Sequence, residues 1–212
     1  SAKAEAVVDR INQRIARVRV DHPEWQGATG IMVWAGTTGA YTEYDIRGKF
    51  LSELGFVTPQ AIRSQSNLNH AYVKVPDEDL SPIDADVLIW LDSGASVARL
   101  NRLPLRRFMR AYSEGREIYS DLMLSSALSH SSPLSLDYAL DTLVPLLEQA
   151  MDGDPATEVT SSRTTPVTVG QPPSGALTML CLSLCIAPGH NKSSKSRRAR
   201  RASAWKNQNR LS

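Results

Sequence analysis

The stretch GIMVWAGTTGAYTEYDIRGKFLSELGF, residues 30–56, decides the fold. Its first part, Ile31–Ala35, is apolar without alternation, which suits a strand covered on both faces. Its last part, Asp45–Leu54, reads as a helix with Ile46, Phe50, Leu51 and Leu54 turned inward and Gly55 just past its end. A strand that hands over to a helix is the first half of a βαβ unit. Such crossings usually take about two to six residues. This one is longer and keeps Trp34, Tyr41 and Tyr44 near its mouth, where a simple connector has no packing use for large aromatics.

Upstream, residues 2–20 read as a long helix with Val7, Ile11, Ile15 and Val18 on one face. Asp21-His22-Pro23 ends it, because the residue before a proline is driven out of the α region. Downstream, Tyr72–Val75 reads as a short strand, Asp77–Leu80 as one helical turn, and Asp86–Asp92 as an apolar strand bounded by acids. Pro104–Tyr112 has Leu105, Phe108, Met109 and Tyr112 at helical spacing, Gly115 stops it, and Glu117–Ser120 returns as a strand. The last helix opens at Ser132-Pro133, a capping serine followed by proline in the first turn, and runs through Leu136, Leu140, Leu143, Leu147 and Met151. Strands alternating with helices imply parallel units. The expected fold class is α/β: a three-layer sandwich with a mostly parallel sheet of about four strands, preceded by a long helix.

Charge divides the chain. Nine of its 24 basic residues and one of its 22 acids lie from Pro155 onward, which leaves residues 1–154 at −6 and the tail at +8. The net +2 of the whole therefore describes neither part. The tail is rich in Ser, Thr, Pro, Lys and Arg without a sustained period, so residues 155–212 are expected to be disordered. Both cysteines, Cys181 and Cys185, lie there. The opening residues are charged throughout and lack the apolar run of a signal peptide. The tail's most apolar stretch, 176–187, is too short to span a bilayer.

Ligands of open α/β sheets sit outside the carboxyl ends of the strands, so three segments matter. The first carries Thr37, Thr38, Tyr41, Glu43 and Tyr44 on Gly36 and Gly39; the second Asp92, Ser93, Ser96 and Arg99; the third Ser120, Asp121, Ser125 and His130. Hydroxyls and aromatics dominate. No HExxH, CxxC, GxSxG or GxxxxGK(S/T) occurs, and GTTGAY is not GxGxxG. The four histidines have no metal-ligand spacing, so no metal site and no cofactor are expected. Ser125, His130 and Asp121 would make a hydrolase only by converging. Trp34 and Trp90, in or beside apolar strands, suit the core as well as a ligand platform. Arg102, Arg106 and Arg110 make a basic stripe whose default reading is a solvated face.

The order of these motifs resembles the periplasmic iron–siderophore and cobalamin binding proteins of ABC importers. The run HPEWQGATGIMVWAG, the tyrosine-bearing loop, FLSELGF, the turn Pro76–Leu80 before Asp84-Ala85-Asp86-Val87-Leu88, and the closing SPLSL at 132–136 carry that resemblance. It implies that residues 1–22 are an interlobe linking helix and 23–154 a C-terminal lobe, with the N-terminal lobe outside this sequence. It further implies a periplasmic or cell-envelope location, a ferric siderophore gripped without chemistry, and an ABC permease as partner. Glu78 matches the position that meets the permease; Trp34, Thr37, Tyr41, Tyr44, Arg47, Trp90 and Arg99 are the expected ligand-binding residues. Competing expectations are a flavodoxin-like cofactor module or enzyme, and a nucleic-acid binder using the basic run at 192–206; the first reading expects no nucleic acid.

Overall fold

A computed structural model of the chain describes residues 2–92, 97–157 and 159. Five strands, β1 (Gly30–Trp34), β2 (Gly39–Tyr41), β3 (Tyr72–Lys74), β4 (Val87–Leu91) and β5 (Glu117–Tyr119), form one sheet in the order β3-β2-β1-β4-β5. β4 lies parallel to β1 and β5, whereas β2 is antiparallel to both of its neighbours. Only β2 therefore runs against the rest, and the sheet is mostly parallel. The expected basic tail lies outside the described residues, apart from 155–157 and 159, as do Ser93 and Ser96.

Side chains of β1 point alternately to the two faces of the sheet and divide the core in two. On one face, Met32, Ile89 and Ile118 meet Ile11 and Ile15 of α1 (Ala2–Asp21), Phe50 and Leu54 of α2 (Ile46–Leu54), and leucines further along the chain. On the other, Ile31, Val33, Leu88 and Trp90 meet Ile62 of α3 (Gln60–Arg63), Leu100 of α4 (Val97–Leu100) and Ala111 of α5 (Arg110–Ser113). The first face is closed by α6 (Leu122–His130) and α7 (Pro133–Ala150). β4 is buried at every residue, which is why its sequence is continuously apolar.

Local chemistry sets the boundaries. Asp45 caps α2 by accepting the Arg47 N–H, and Gly55 ends it in the left-handed conformation. Ser132 and Ser135 form a reciprocal capping box at the start of α7. Asp86 fastens the start of β4 to β1 by accepting both the N–H and the hydroxyl of Thr29, at 2.8 and 2.7 Å. Burial pushes the Asp86 carboxyl up, but the two Thr29 bonds with Arg110 and Arg116 outweigh it and hold it below the usual carboxylate range.

Four expectations are corrected. The sheet has five strands rather than about four, because Gly39–Tyr41 is β2 and not loop. Segment 120–130 is mostly α6. Asp77-Glu78 is a plain turn, and the helical residues come later, at the 3-10 turn Ser81–Ile83. Residues 104–112 are not one helix but a 3-10 turn, Arg106–Phe108, followed by α5. The Asp84 carboxylate accepts the N–H groups of Arg110 and Ala111, which a continuous helix would have bonded internally. Phe108 is consequently 71% exposed, and Tyr112 and Ile46 also face solvent.

Candidate binding site

The site is built on the β1–β2–β3 side of the sheet. Register pairs Trp34 with Gly39 and Gly39 with Lys74, and pairs Met32 with Tyr41 and Tyr41 with Tyr72. Paired residues share a face, so Trp34, Tyr41 and Tyr72 point to one side. Tyr72, 40% exposed, leans along the strands across Gly39. Its hydroxyl lies 1.6 Å from where a Cβ on Gly39 would stand, so only glycine admits the ring. The hydroxyl then bonds Thr37 Oγ1 at 3.1 Å. Gly36 has a parallel role beneath Trp34, whose Nε1 is 2.5 Å from the corresponding Cβ position.

Behind Tyr72 lies Tyr41, with ring centroids 5.1 Å apart and tilted by 56°. The Arg47 guanidinium stacks on Tyr41, 3.7 Å from its centroid. Asp45 holds that guanidinium with bonds of 2.7 and 2.9 Å. Burial pushes the Tyr41 phenol up, an effect Arg47 only partly offsets. Tyr41 therefore keeps its proton at neutral pH and can donate a hydrogen bond.

Beside this aromatic strip, Gly36, Thr37, Lys74, Pro76, Glu78 and Arg99 line an open groove of about 410 Å³ at the carboxyl ends of β1 and β3. The β1–β2 turn enters it with Thr38 at φ 48°, a left-handed conformation that a β-branched residue rarely takes. Such a backbone costs on the order of 1–3 kcal/mol and persists only where the surroundings hold it. Here the Thr38 hydroxyl donates to Asp77 Oδ1 at 2.8 Å and accepts from Arg99 at 2.9 Å.

The open α/β sheet and its covering helices have counterparts among solved structures. A periplasmic solute binding protein from Mycobacterium smegmatis matches with TM-score 0.58 and 26% identity, over 71% of this chain and 51% of that one. PiaA from Streptococcus pneumoniae in complex with ferrichrome matches with TM-score 0.58 and 22% identity, over 72% and 54%. FhuD2 from Staphylococcus aureus with bound ferrioxamine B matches with TM-score 0.60 and 15% identity, over 71% and 59%. The chain shares its fold with periplasmic siderophore-binding proteins. It spans between 51% and 59% of the length of these three. No protein-family model matches the sequence, and no curated protein matches it at a significant level. The resemblance read from the motif order thus holds at the level of fold.

On this solute-binding fold the expected ligand residues part company. Trp34, half-buried, and Thr37, exposed, stand at the strip. Tyr41 does not belong to a loop: it is in β2, 9% exposed, and forms the strip's backing rather than its surface. Tyr44 is exposed on the turn before α2. Arg47 reaches the strip with its charge already paired to Asp45. Trp90 is corrected outright as a ligand residue. It is 0% exposed, belongs to the opposite core, and donates to Glu117 at 2.7 Å. Arg99 gives its donors to Asp77, Thr38 and the Ala35 carbonyl, so it is a structural brace at the groove. Glu78 is exposed on the turn after β3. Tyr72 and Lys74 were missed. Their signal was the alternation of Tyr72–Val73–Lys74, exposed-buried-exposed, which marks a strand with one open face.

The third loop does not form a triad. Ser125 Oγ bonds Ser120 Oγ at 2.5 Å, His130 bonds the Ser126 carbonyl, and Asp121 caps α6 at Leu124. Among the described residues, no three His, Cys, Asp or Glu side chains are placed to hold a metal ion, and no helix is long and apolar enough to cross a membrane. A larger cavity, about 570 Å³, lies at the β5 edge between Arg106, Tyr112, Tyr119 and Thr157. Its charges already satisfy one another: Arg106, expected on a solvated face, forks onto buried Glu117 and contacts the Tyr119 hydroxyl. The open strip, with polar groups facing solvent, is the better site for a ligand.

Proposed function

We propose that this chain is the substrate-binding component of an ABC importer for ferric siderophores, holding the chelate without breaking any bond in it. The carrying observation is the Tyr72–Tyr41–Arg47 strip with Trp34 beside it. A ferric chelate is bulky and often aromatic or anionic, and its iron is already fully ligated. Its site needs flat rings, phenol and threonine hydroxyls and a nearby cation rather than metal ligands, and the strip supplies these. The fold supports this reading, because neighbours of the same fold were solved with ferrichrome and ferrioxamine B.

On this proposal the chelate sits between the strip and a second α/β lobe, on the extracytoplasmic side of the membrane. Glu78, exposed on the outer turn, docks on a basic patch of the permease; as a plain surface acid it would have no such use. A phosphate-cradling cofactor loop is the weaker reading, because the Asp77 carboxylate occupies the Thr38 hydroxyl and would repel a phosphate at the same turn.

Titration with ferrioxamine B and ferrichrome, followed by tryptophan fluorescence, tests the proposal. Saturable quenching is expected, weakened about fivefold or more in Y72A, since packing of an aromatic ring on a bound ligand is worth about 1 kcal/mol. Absence of quenching by either chelate once the second lobe is supplied, or quenching unchanged by Y72A, contradicts it.

A further inference from the structure

Two turns that are far apart in sequence are fastened together at the groove. Turn 35–38 joins β1 to β2 and carries Thr37; turn 76–79 follows β3 and carries Glu78. The Thr38 carbonyl accepts the Val75 N–H at 2.9 Å, which ties the backbones. The side chains add a second, closed set of bonds. Arg99 donates to both Asp77 oxygens at 2.6 and 2.7 Å, to Thr38 Oγ1 at 2.9 Å and to the Ala35 carbonyl at 3.0 Å. The Thr38 hydroxyl completes the loop by donating to Asp77.

We infer that Thr38, Asp77 and Arg99 are positioning residues that join the two turns into one body, so that Thr37 and Glu78 are set together. Thr38 sits in the left-handed region at φ 48° and is 0% exposed, although glycine or asparagine would take that backbone more readily. What threonine adds is a hydroxyl able to donate and accept at once. That hydroxyl is the sole atom of the hairpin side chains bonded to both Asp77 and Arg99 among the described bonds. A strained residue held at both its carbonyl and its hydroxyl cannot shift alone: moving Thr38 pulls on Val75 and Asp77, and so on the turn that displays Glu78. The consequence for transport rests on the chelate-binding reading, since a guest touching Thr37 would thereby stiffen the acidic turn.

Hydrogen exchange of backbone amides in the full chain tests this by reciprocity. D77A is expected to speed exchange of peptides covering 34–39, and T38V that of peptides covering 75–80, each by about tenfold as the local opening becomes easier. T38S, which keeps the hydroxyl, is expected to leave both at the wild-type rate. Amides of α1 and α7 should not change, and D77N replaces D77A if the latter does not fold. T38V leaving 75–80 at the wild-type rate overturns the inference. Adding ferrioxamine B to the wild type should slow 34–39 and 75–80 together, and in T38V only 34–39. Slowing of 34–39 alone in the wild type overturns the inference and leaves the chelate reading standing. If ferrioxamine B and ferrichrome both fail to bind even with the second lobe supplied, that reading falls, and the variant arm by itself decides the inference.

Discussion

The indole N–H of Trp90 donates to Glu117 Oε1 across 2.7 Å, joining the centre of β4 to the edge strand β5 inside the core. Arg106 approaches the same carboxylate from outside with bonds of 2.8 to 3.2 Å. Three polar groups are thus buried as one satisfied unit. Removing Glu117 would strand a guanidinium and an indole N–H in a largely dry place. E117A is expected to destabilise the protein by about 3–5 kcal/mol, read as a lowered urea midpoint. E117Q, which can still accept from Trp90, should lose less. Equal, small losses in both variants would show that the network is not coupled.

The ion pairs between α1 and α7 make the opposite case. Arg14 meets Asp137 at 2.6 Å and also contacts Asp141, while Arg10 reaches Asp137 at 2.5 Å. Apart from the half-buried Asp137, these side chains are open to water, where such pairs are worth roughly 0–1 kcal/mol. R14A should therefore cost under about 1 kcal/mol, and the cost should shrink in high salt. A salt-independent loss of several kcal/mol would contradict this account.

Gly39→Ala places a methyl group where the Tyr72 hydroxyl lies. The ring must swing off the sheet, and being partly exposed it can do so at modest cost to stability. Chelate binding, however, should fall to the level of Y72A. The pair of measurements is a thermal melt and a ferrioxamine B titration; unchanged affinity in G39A would remove Tyr72 from the site.

Asp86 predicts an acid-side dependence. Its folded carboxyl titrates below the ordinary value of about 3.9, so the folded state favours the ionised form. The stability this contributes is fully present above the ordinary value and is lost as pH falls through the lower, folded value. Urea midpoints measured downward from about pH 5 should thus fall more steeply for wild type than for D86N. Parallel curves would mean that Asp86 is not linked to unfolding.

Read alone, the sequence was most reliable where burial is total and the pattern needs no partner to interpret it. The apolar run at β4, the faces of α1 and α7, and the caps at Gly55 and Ser132 are local facts, because propensity, periodicity and capping act within a few residues. It faltered where an element is defined by its neighbour. β2 is three residues long and exists because β1 and β3 flank it, so Tyr41 looked like loop. Residues 104–112 had a helical period that Asp84, more than twenty positions away, overrides by taking two amides.

The sequence by itself determined the α/β class and the order of the main elements, and pointed to the segments that carry the candidate site, since these follow from hydrophobic period and turn chemistry along the chain. Only the tertiary structure decided which aromatics face out. Trp90 and Trp34 sit in equally apolar strands, yet one is sealed against Glu117 and the other opens beside Tyr72. Side-chain exposure depends on strand order, register and what covers each face, and those are set by contacts between residues that no local window contains.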